Sequence, residues 1–243
     1  MPRWLGKAYS KLWYVHGSKA FDLSTASDVL RETRPSVRIL MSRFVEHGSA
    51  IRIERGLYQL LSPSYLAAAT SGAVKLGRLL STPYDPLFRG LLSALLDKFG
   101  RHLLSVTVFG SVARGDASSE SDVDVLLVVK EWEKSVMERA EDIGKIDLSL
   151  TPVRKNMWQQ DGILAPIQFL TLDAEEANSP RLLYMDLVLD AVILLDRDGF
   201  MRKILERVEA RMKELGSKRV VLPDRSWYWV MKEGVKMGEV FEI

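Results

Sequence analysis

The chain has 243 residues, 47% of them hydrophobic and 27% charged, with a formal net charge of +2, enough for one large domain or two modest ones around a true core. Its longest apolar runs, such as Val123 to Val129, are too short to span a bilayer, and the opening Met1-Pro-Arg-Trp lacks the apolar centre of a signal peptide. The expected setting is therefore cytoplasmic, with no membrane partner. No cysteine is present, which excludes disulfides, thiolate zinc sites and cysteine nucleophiles. Charge is unevenly distributed: residues 1–65 carry ten Lys/Arg against five Asp/Glu, whereas residues 101–200 carry ten against eighteen. A basic start followed by an acidic middle suggests two modules with different partners.

In the first module, expected over residues 1–65, Leu5, Ala8, Tyr9, Leu12 and Trp13 recur at helical spacing and Gly17 stops the helix. Phe21-Asp-Leu is a short extended entry, and Ser24 is placed to cap a helix running to about Glu32. Pro35 suits the first turn of a third helix, whose stripe of Val37, Leu40, Met41 and Phe44 runs to His47. Two apolar runs, from Ala50 and from Leu57, flank Glu54-Arg-Gly56 and predict a β-hairpin. Three helices and a hairpin resemble the winged helix-turn-helix domains of prokaryotic regulators, including abortive-infection antitoxins. The resemblance implies contact with DNA or RNA through Arg38, Ser42 and Arg43 on the third helix and Arg52 and Arg55 on the hairpin; a small helical domain with solvated arginines, or one that docks protein, is the plainer reading. Leu66 to Leu80 is Ala- and Leu-rich and predicts a connecting helix or part of a homodimer surface, and Ser81-Thr-Pro-Tyr-Asp-Pro86 predicts a linker.

The second module, expected over residues 87–215, opens with a helical pattern from Leu87 to Phe99. The strand Leu103 to Phe109 runs into Gly110-Ser-Val-Ala-Arg-Gly115, and a second strand begins at Asp122-Val-Asp124. Glycine at the turn lets backbone approach a phosphate, and N–H groups are free at the helix start that follows. Along the second strand Asp122 and Asp124 share a face while Val123 and Val125 take the other. Two adjacent carboxylates repel, and a divalent cation is the usual reason to keep them together.

Gly110-Ser111-x-Ala-Arg-Gly115 with Ser121-Asp122-x-Asp124 resembles the signature of the DNA polymerase β nucleotidyltransferase superfamily, most closely its minimal nucleotidyltransferase branch. The resemblance implies an α/β (α+β) fold, a mixed sheet flanked by helices, and transfer of an NMP from an NTP to a hydroxyl of a protein, RNA or small molecule. It implies Mg²⁺ (or Mn²⁺) on Asp122 and Asp124, with phosphates on Gly110 and Ser111. Arg114 either reaches the phosphates or pairs with a carboxylate. The superfamily's third carboxylate comes from a neighbouring strand after one crossover helix. Residues Glu131 to Ile143 are expected as that helix and Lys145 to Leu150 as that strand, so the resemblance falls on Asp147. Members of the branch often work beside a helical toxin in toxin–antitoxin modules, with a partner protein as acceptor. The rival reading is a DNA-binding regulator whose second module senses nucleotide or is inactive. Further on, Leu172 to Leu189 is expected to be helical, Ala191 to Asp196 a strand and Met201 to Leu215 a helix. Beyond Gly216, Trp227, Trp229, Met231 and Phe241 either pack on the catalytic module or across a dimer, or offer a platform for a base or partner.

Overall fold

The computed structural model describes residues 2–224 and 226–234; Phe241, one of the expected packing aromatics, lies outside them. The first helix, α1 (Arg3–His16), buries Leu5, Tyr9 and Leu12 one turn apart and ends where the Gly17 N–H donates to the Trp13 carbonyl. After the two-residue strand β1 (Phe21–Asp22) comes α2 (Leu23–Leu30). Its cap is Asp22, whose carboxylate accepts from the Thr25 N–H at 2.7 Å, and not Ser24, which lies inside the first turn. Helix α3 (Arg34–Glu46) starts from Thr33 with Pro35 in its first turn and buries Val37, Met41 and Phe44. Strands β2 (Ala50–Glu54) and β3 (Leu57–Leu60) form the expected hairpin, and β1 adds to its far edge in the order β1-β3-β2.

The two faces of this small sheet serve different cores. Ala50, Tyr58 and Leu60 close the cluster of α1, α2 and α3, while Ile51, Ile53 and Leu61 enter a second cluster. Ser62 then caps α4 (Pro63–Thr70). The same buried serine donates twice to Ser93 on α5 (Asp85–Phe99), its N–H to the Ser93 hydroxyl and its own hydroxyl to the Ser93 carbonyl. Helix α5 buries Leu87, Phe88, Leu91, Leu92, Leu95 and Leu96. That stripe is too wide for a helix with one wet face, because α5 packs on the N-terminal hairpin and on the main sheet at once. The connecting helix is shorter than its composition suggests. It ends at Ser71-Gly72, and the chain beyond it bonds to the sheet edge, Lys75 N–H donating to the Leu194 carbonyl at 2.8 Å.

That main sheet contains β4 (Leu103–Phe109), β5 (Val123–Val129), β6 (Ile167–Asp173) and β7 (Val192–Asp196) in the order β6-β5-β4-β7. It is mixed, since β4 runs antiparallel to β5 and β7 while β6 runs parallel to β5. Between β4 and β5 lies the short α6 (Gly110–Arg114), and between β5 and β6 run α7 (Val136–Ser149) and α8 (Thr151–Asp161). One sheet face, with Val106, Val123 and Val125, packs on α5, α7 and α8. The other, with Leu126, Val128 and Leu172, packs on α9 (Ala174–Asn178), α10 (Leu183–Asp190) and α11 (Phe200–Leu215). The chain is thus α/β with a helix-flanked mixed sheet, as expected.

Residues 145–150 are not a strand. A reciprocal Ser135/Glu138 capping box starts α7, and Asp142, Ile143 and Ile146 continue one buried helical stripe through the segment whose alternation suggested β-structure. The strand beside β5 is instead β6, where Ile-Gln-Phe-Leu-Thr-Leu carries the same alternating signal. A final antiparallel hairpin is formed by β8 (Lys218–Val221) and β9 (Trp227–Val230), and Trp229 and the following Met231 pack against the second face.

Asp142 fastens α7 to α5: it accepts from Lys98 and from Lys134, each at 2.7 Å, and these bonds hold its carboxyl at about 2 rather than its ordinary value near 3.8. A depressed carboxyl contributes stability that is present above the unfolded value and is lost as pH falls through the folded one. Asp142→Asn is expected to lower Tm near neutrality and to flatten the fall in Tm between pH 3.8 and about 2, measured by thermal melts across that window.

Candidate active site

The site is built where β4 ends and β5 begins. Cross-strand register sets Phe109 opposite Asp124, so the next residue, Gly110, lies against the Asp124 side chain. Gly110 has φ +71°, and a Cβ there would collide with Asp124 Oδ2. Two separate demands therefore require glycine: a left-handed backbone and the close approach of a carboxylate. Helix α6 follows at once. Its N-cap, Phe109, provides no side-chain hydrogen bond, so among the described residues no N-cap side chain takes up the first-turn N–H groups. Gly115, at φ +83°, ends the helix and returns its N–H to the Ser111 carbonyl.

A serine turn, with Ser118 N–H donating to Ser121 Oγ at 2.8 Å, brings the chain back to Asp122 and β5. Val123 and Val125 are fully buried in the core, Asp124 between them is half-buried, and Asp122 is exposed at the strand entrance. Burial pushes the Asp124 carboxyl above its ordinary value; the neighbouring Asp122 charge pushes the same way, and the Arg114 guanidinium pulls it back. The pair thus carries an excess of negative charge that one cation would relieve. Mg²⁺ in phosphoryl-transfer sites is held by one or two carboxylates together with substrate phosphates, and Asp122 and Asp124 fit that donor set.

Asp147 does not complete it. It lies in the last turn of α7, where Oδ1 is 2.8 Å from Arg154 Nη1 and Oδ2 accepts from Arg154 Nη2 at 2.9 Å. Among the described residues no three acids or histidines gather closely enough to hold a metal ion. The residue beside Asp124 on the neighbouring strand is Gln168, on the same face and exposed. Gln168 was not foreseen, because the strand that carries it was not.

Arg114 bonds Asp116 through Nε at 3.1 Å and lies over the ring of Trp227, 4.8 Å from its centre. The carboxylate partner foreseen for it exists, and the aromatic one is added by the C-terminal hairpin. In the N-terminal module Arg38, Ser42, Arg43, Arg52 and Arg55 are all exposed. Arg43 also covers Trp4 at 5.0 Å and shares a groove with Lys7 and Lys11 of α1, two further cations that the sequence reading passed over.

The profile of the family described as "Nucleotidyltransferase domain" matches residues 89–177, from α5 through α9, and so includes the Gly110 turn and both aspartates. A protein of Methanocaldococcus jannaschii, provisionally named a protein adenylyltransferase, is 30% identical over 118 residues, covering 49% of this chain and 76% of the relative. Among solved structures, a crystal structure of a toxin–antitoxin with AMP-PNP covers 52% of this chain and 90% of its own, at 16% identity and a TM-score of 0.35. A mutant of the toxin–antitoxin MntA-HpeT covers 51% and 90%, at 15% identity and a TM-score of 0.34.

Gly110→Ala and Gly115→Ala both impose a side chain on a left-handed backbone, but only the first meets an obstacle, since nothing lies within 4 Å of a Cβ at Gly115. Urea unfolding should show Gly115→Ala costing about 1 kcal/mol and Gly110→Ala distinctly more. Equal losses would mean that the contact with Asp124 is unimportant.

Proposed function

The chain belongs to the nucleotidyltransferase domain family, and we propose that its paired carboxylates serve Mg²⁺-dependent transfer of an NMP from an NTP to an acceptor hydroxyl, with release of pyrophosphate. The observation that carries this reading is the contact between the Gly110 backbone and the half-buried Asp124 carboxylate, with Asp122 beside it. A turn that presents free N–H groups within reach of a carboxylate ledge suits a triphosphate and its counter-ion.

In this reading Gly110 and Ser111 receive the phosphates through backbone N–H groups and the serine hydroxyl, and Arg114 adds a guanidinium beside them. Asp122 and Asp124 hold Mg²⁺, which supplies charge neutralisation on the phosphate oxygens. The side chains themselves bind and orient: the acceptor oxygen bonds to the α-phosphorus and gives up its proton to solvent, as the bond from that phosphorus to the bridging oxygen breaks and pyrophosphate departs. A protein hydroxyl is the favoured acceptor and AMP the favoured group, on the strength of the name carried by the Methanocaldococcus jannaschii relative. Asp147 takes no part, being engaged by Arg154.

The N-terminal module is proposed as a winged helix that binds nucleic acid. What supports this is the exposure of Arg38, Ser42 and Arg43 along α3 together with Arg52 and Arg55 on the β2–β3 hairpin. It would bring the catalytic module to DNA or RNA, or, if the catalytic module were silent, act as a regulator by itself.

The test is incubation with each α-³²P-labelled NTP and Mg²⁺, with total host protein and host RNA as acceptors. Label is expected in a discrete protein band, strongest with ATP. Asp122→Asn and Asp124→Asn should each cut the initial rate by at least about 10²-fold, whereas Asp147→Asn should stay within about threefold of wild type. Loss of label in the Asp147 variant alone would overturn the two-carboxylate reading. For the N-terminal module, Arg52→Ala/Arg55→Ala is expected to weaken duplex DNA binding and to reduce the slope of log K against log salt by roughly 1 to 2. An unchanged slope in a salt titration would remove the hairpin from the interface.

A further inference from the structure

Arg114 is the last residue of α6, yet the group that holds its guanidinium comes from the far end of the chain. Trp227 on β9 places its ring 4.8 Å from Arg114 Cζ and 5.2 Å from Arg219 Cζ. The indole is itself fixed, its Nε1–H donating to Asp186 of α10 at 2.9 Å, with Trp229 donating to the same oxygen at 3.1 Å. Arg219 on β8 is clamped by Asp190, accepting at 2.5 and 3.4 Å. Each guanidinium thus has its own carboxylate, Asp116 for Arg114 and Asp190 for Arg219, so two like charges can share one ring.

Arg114 spends only Nε on Asp116; among the described residues its two Nη groups have no hydrogen-bond partner. It also ends the five-residue helix whose first residue, Gly110, lies against the Asp124 side chain. A guanidinium held over an indole, with its outer N–H groups free and a carboxylate ledge beside it, is preorganised for a bidentate phosphate contact. Left alone on a five-residue helix, the same side chain would have to be ordered each time a phosphate bound. The ring is engaged by two guanidiniums, which favours the packing reading of Trp227 over the platform one.

We propose that Trp227 is a positioning residue for the triphosphate: its indole holds Arg114 in the orientation in which the free Nη groups meet the departing β- and γ-phosphates, which makes the β8–β9 hairpin part of the nucleotide site. This rests on the nucleotidyl-transfer reading. Its footing is the chain of contacts from Asp186 through Trp227 to Arg114, three side chains from α10, β9 and α6 that no local motif links.

The test uses the full chain and reads binding of inorganic pyrophosphate with Mg²⁺ by titration calorimetry, beside KM and kcat in the labelled-NTP assay. Trp227→Leu keeps apolar bulk and removes the aromatic face; Trp227→Phe restores the face without the indole N–H. Trp227→Leu is expected to weaken pyrophosphate about 5- to 20-fold and to raise KM by a similar factor with a smaller change in kcat. Trp227→Phe should fall between Trp227→Leu and wild type, since it keeps the aromatic face but loses the bond to Asp186, and Trp227→Leu/Arg114→Ala should bind no more weakly than Arg114→Ala alone, because the tryptophan acts through the arginine. Trp227→Leu at wild-type affinity overturns the inference, as do additive losses in the double variant, no rescue by phenylalanine, or a wild type that does not bind pyrophosphate. Intact pyrophosphate binding with no NMP transfer from any NTP counts against the proposed function alone.

Discussion

Asp124 is pressed against a stretch of backbone that has no side chain, and the rest of the site depends on that contact. The Phe109–Asp124 register brings the carboxylate to the turn, and Gly110 alone can both take φ +71° and leave room for Oδ2. Because of this the start of α6, with its uncapped N–H groups, and the acidic ledge open on the same spot. Burial then raises the carboxyl, and the nearby Asp122 charge adds to the strain. The combination has a cost that folding alone does not explain and that a cation with phosphate oxygens would relieve.

Around this contact the sheet works as a rigid carrier. Its central strands are buried on both faces, between α5, α7 and α8 on one side and α9, α10 and α11 on the other. Helix α5 also receives Ile51 and Ile53 from the N-terminal hairpin, so the basic module is joined to the catalytic one through a common apolar cluster rather than by a bare linker. The exposed side chains of α3 and the β2–β3 hairpin are thereby held in a defined relation to the carboxylates. The C-terminal hairpin closes the arrangement from the opposite direction, reaching α6 through Trp227 and α10 through Asp186.

What could be read from the sequence was what local chemistry dictates. The Gly110 turn, the Asp122/Asp124 alternation and the helix order of the first module each follow from spacing within a few residues. The strand expected around Asp147 failed because six residues of alternation, Lys145 to Leu150, satisfy a strand and the end of a helix equally; the Ser135 capping box and the stripe through Asp142 and Ile146 decided for the helix. With that strand misplaced, β6 and its Gln168 went unseen, although Ile167 to Leu172 carries a strand pattern of its own. The partnership of Arg114 and Trp227 spans 113 positions of the sequence and leaves no mark in either local segment. Only the packing of β9 against α10 creates it.

The central claim is that Asp122 and Asp124, without Asp147, hold the metal that accompanies a triphosphate on the Gly110 turn. The most direct measurement is a crystal structure of the protein soaked with Mn²⁺ and a non-hydrolysable ATP analogue, with anomalous data to locate the metal. The account predicts an anomalous peak within coordination distance of the Asp122 and Asp124 carboxylates and phosphate oxygens against the N–H groups of Gly110 and Ser111. A peak liganded by Asp147, or a triphosphate seated away from the Gly110 turn, would contradict it.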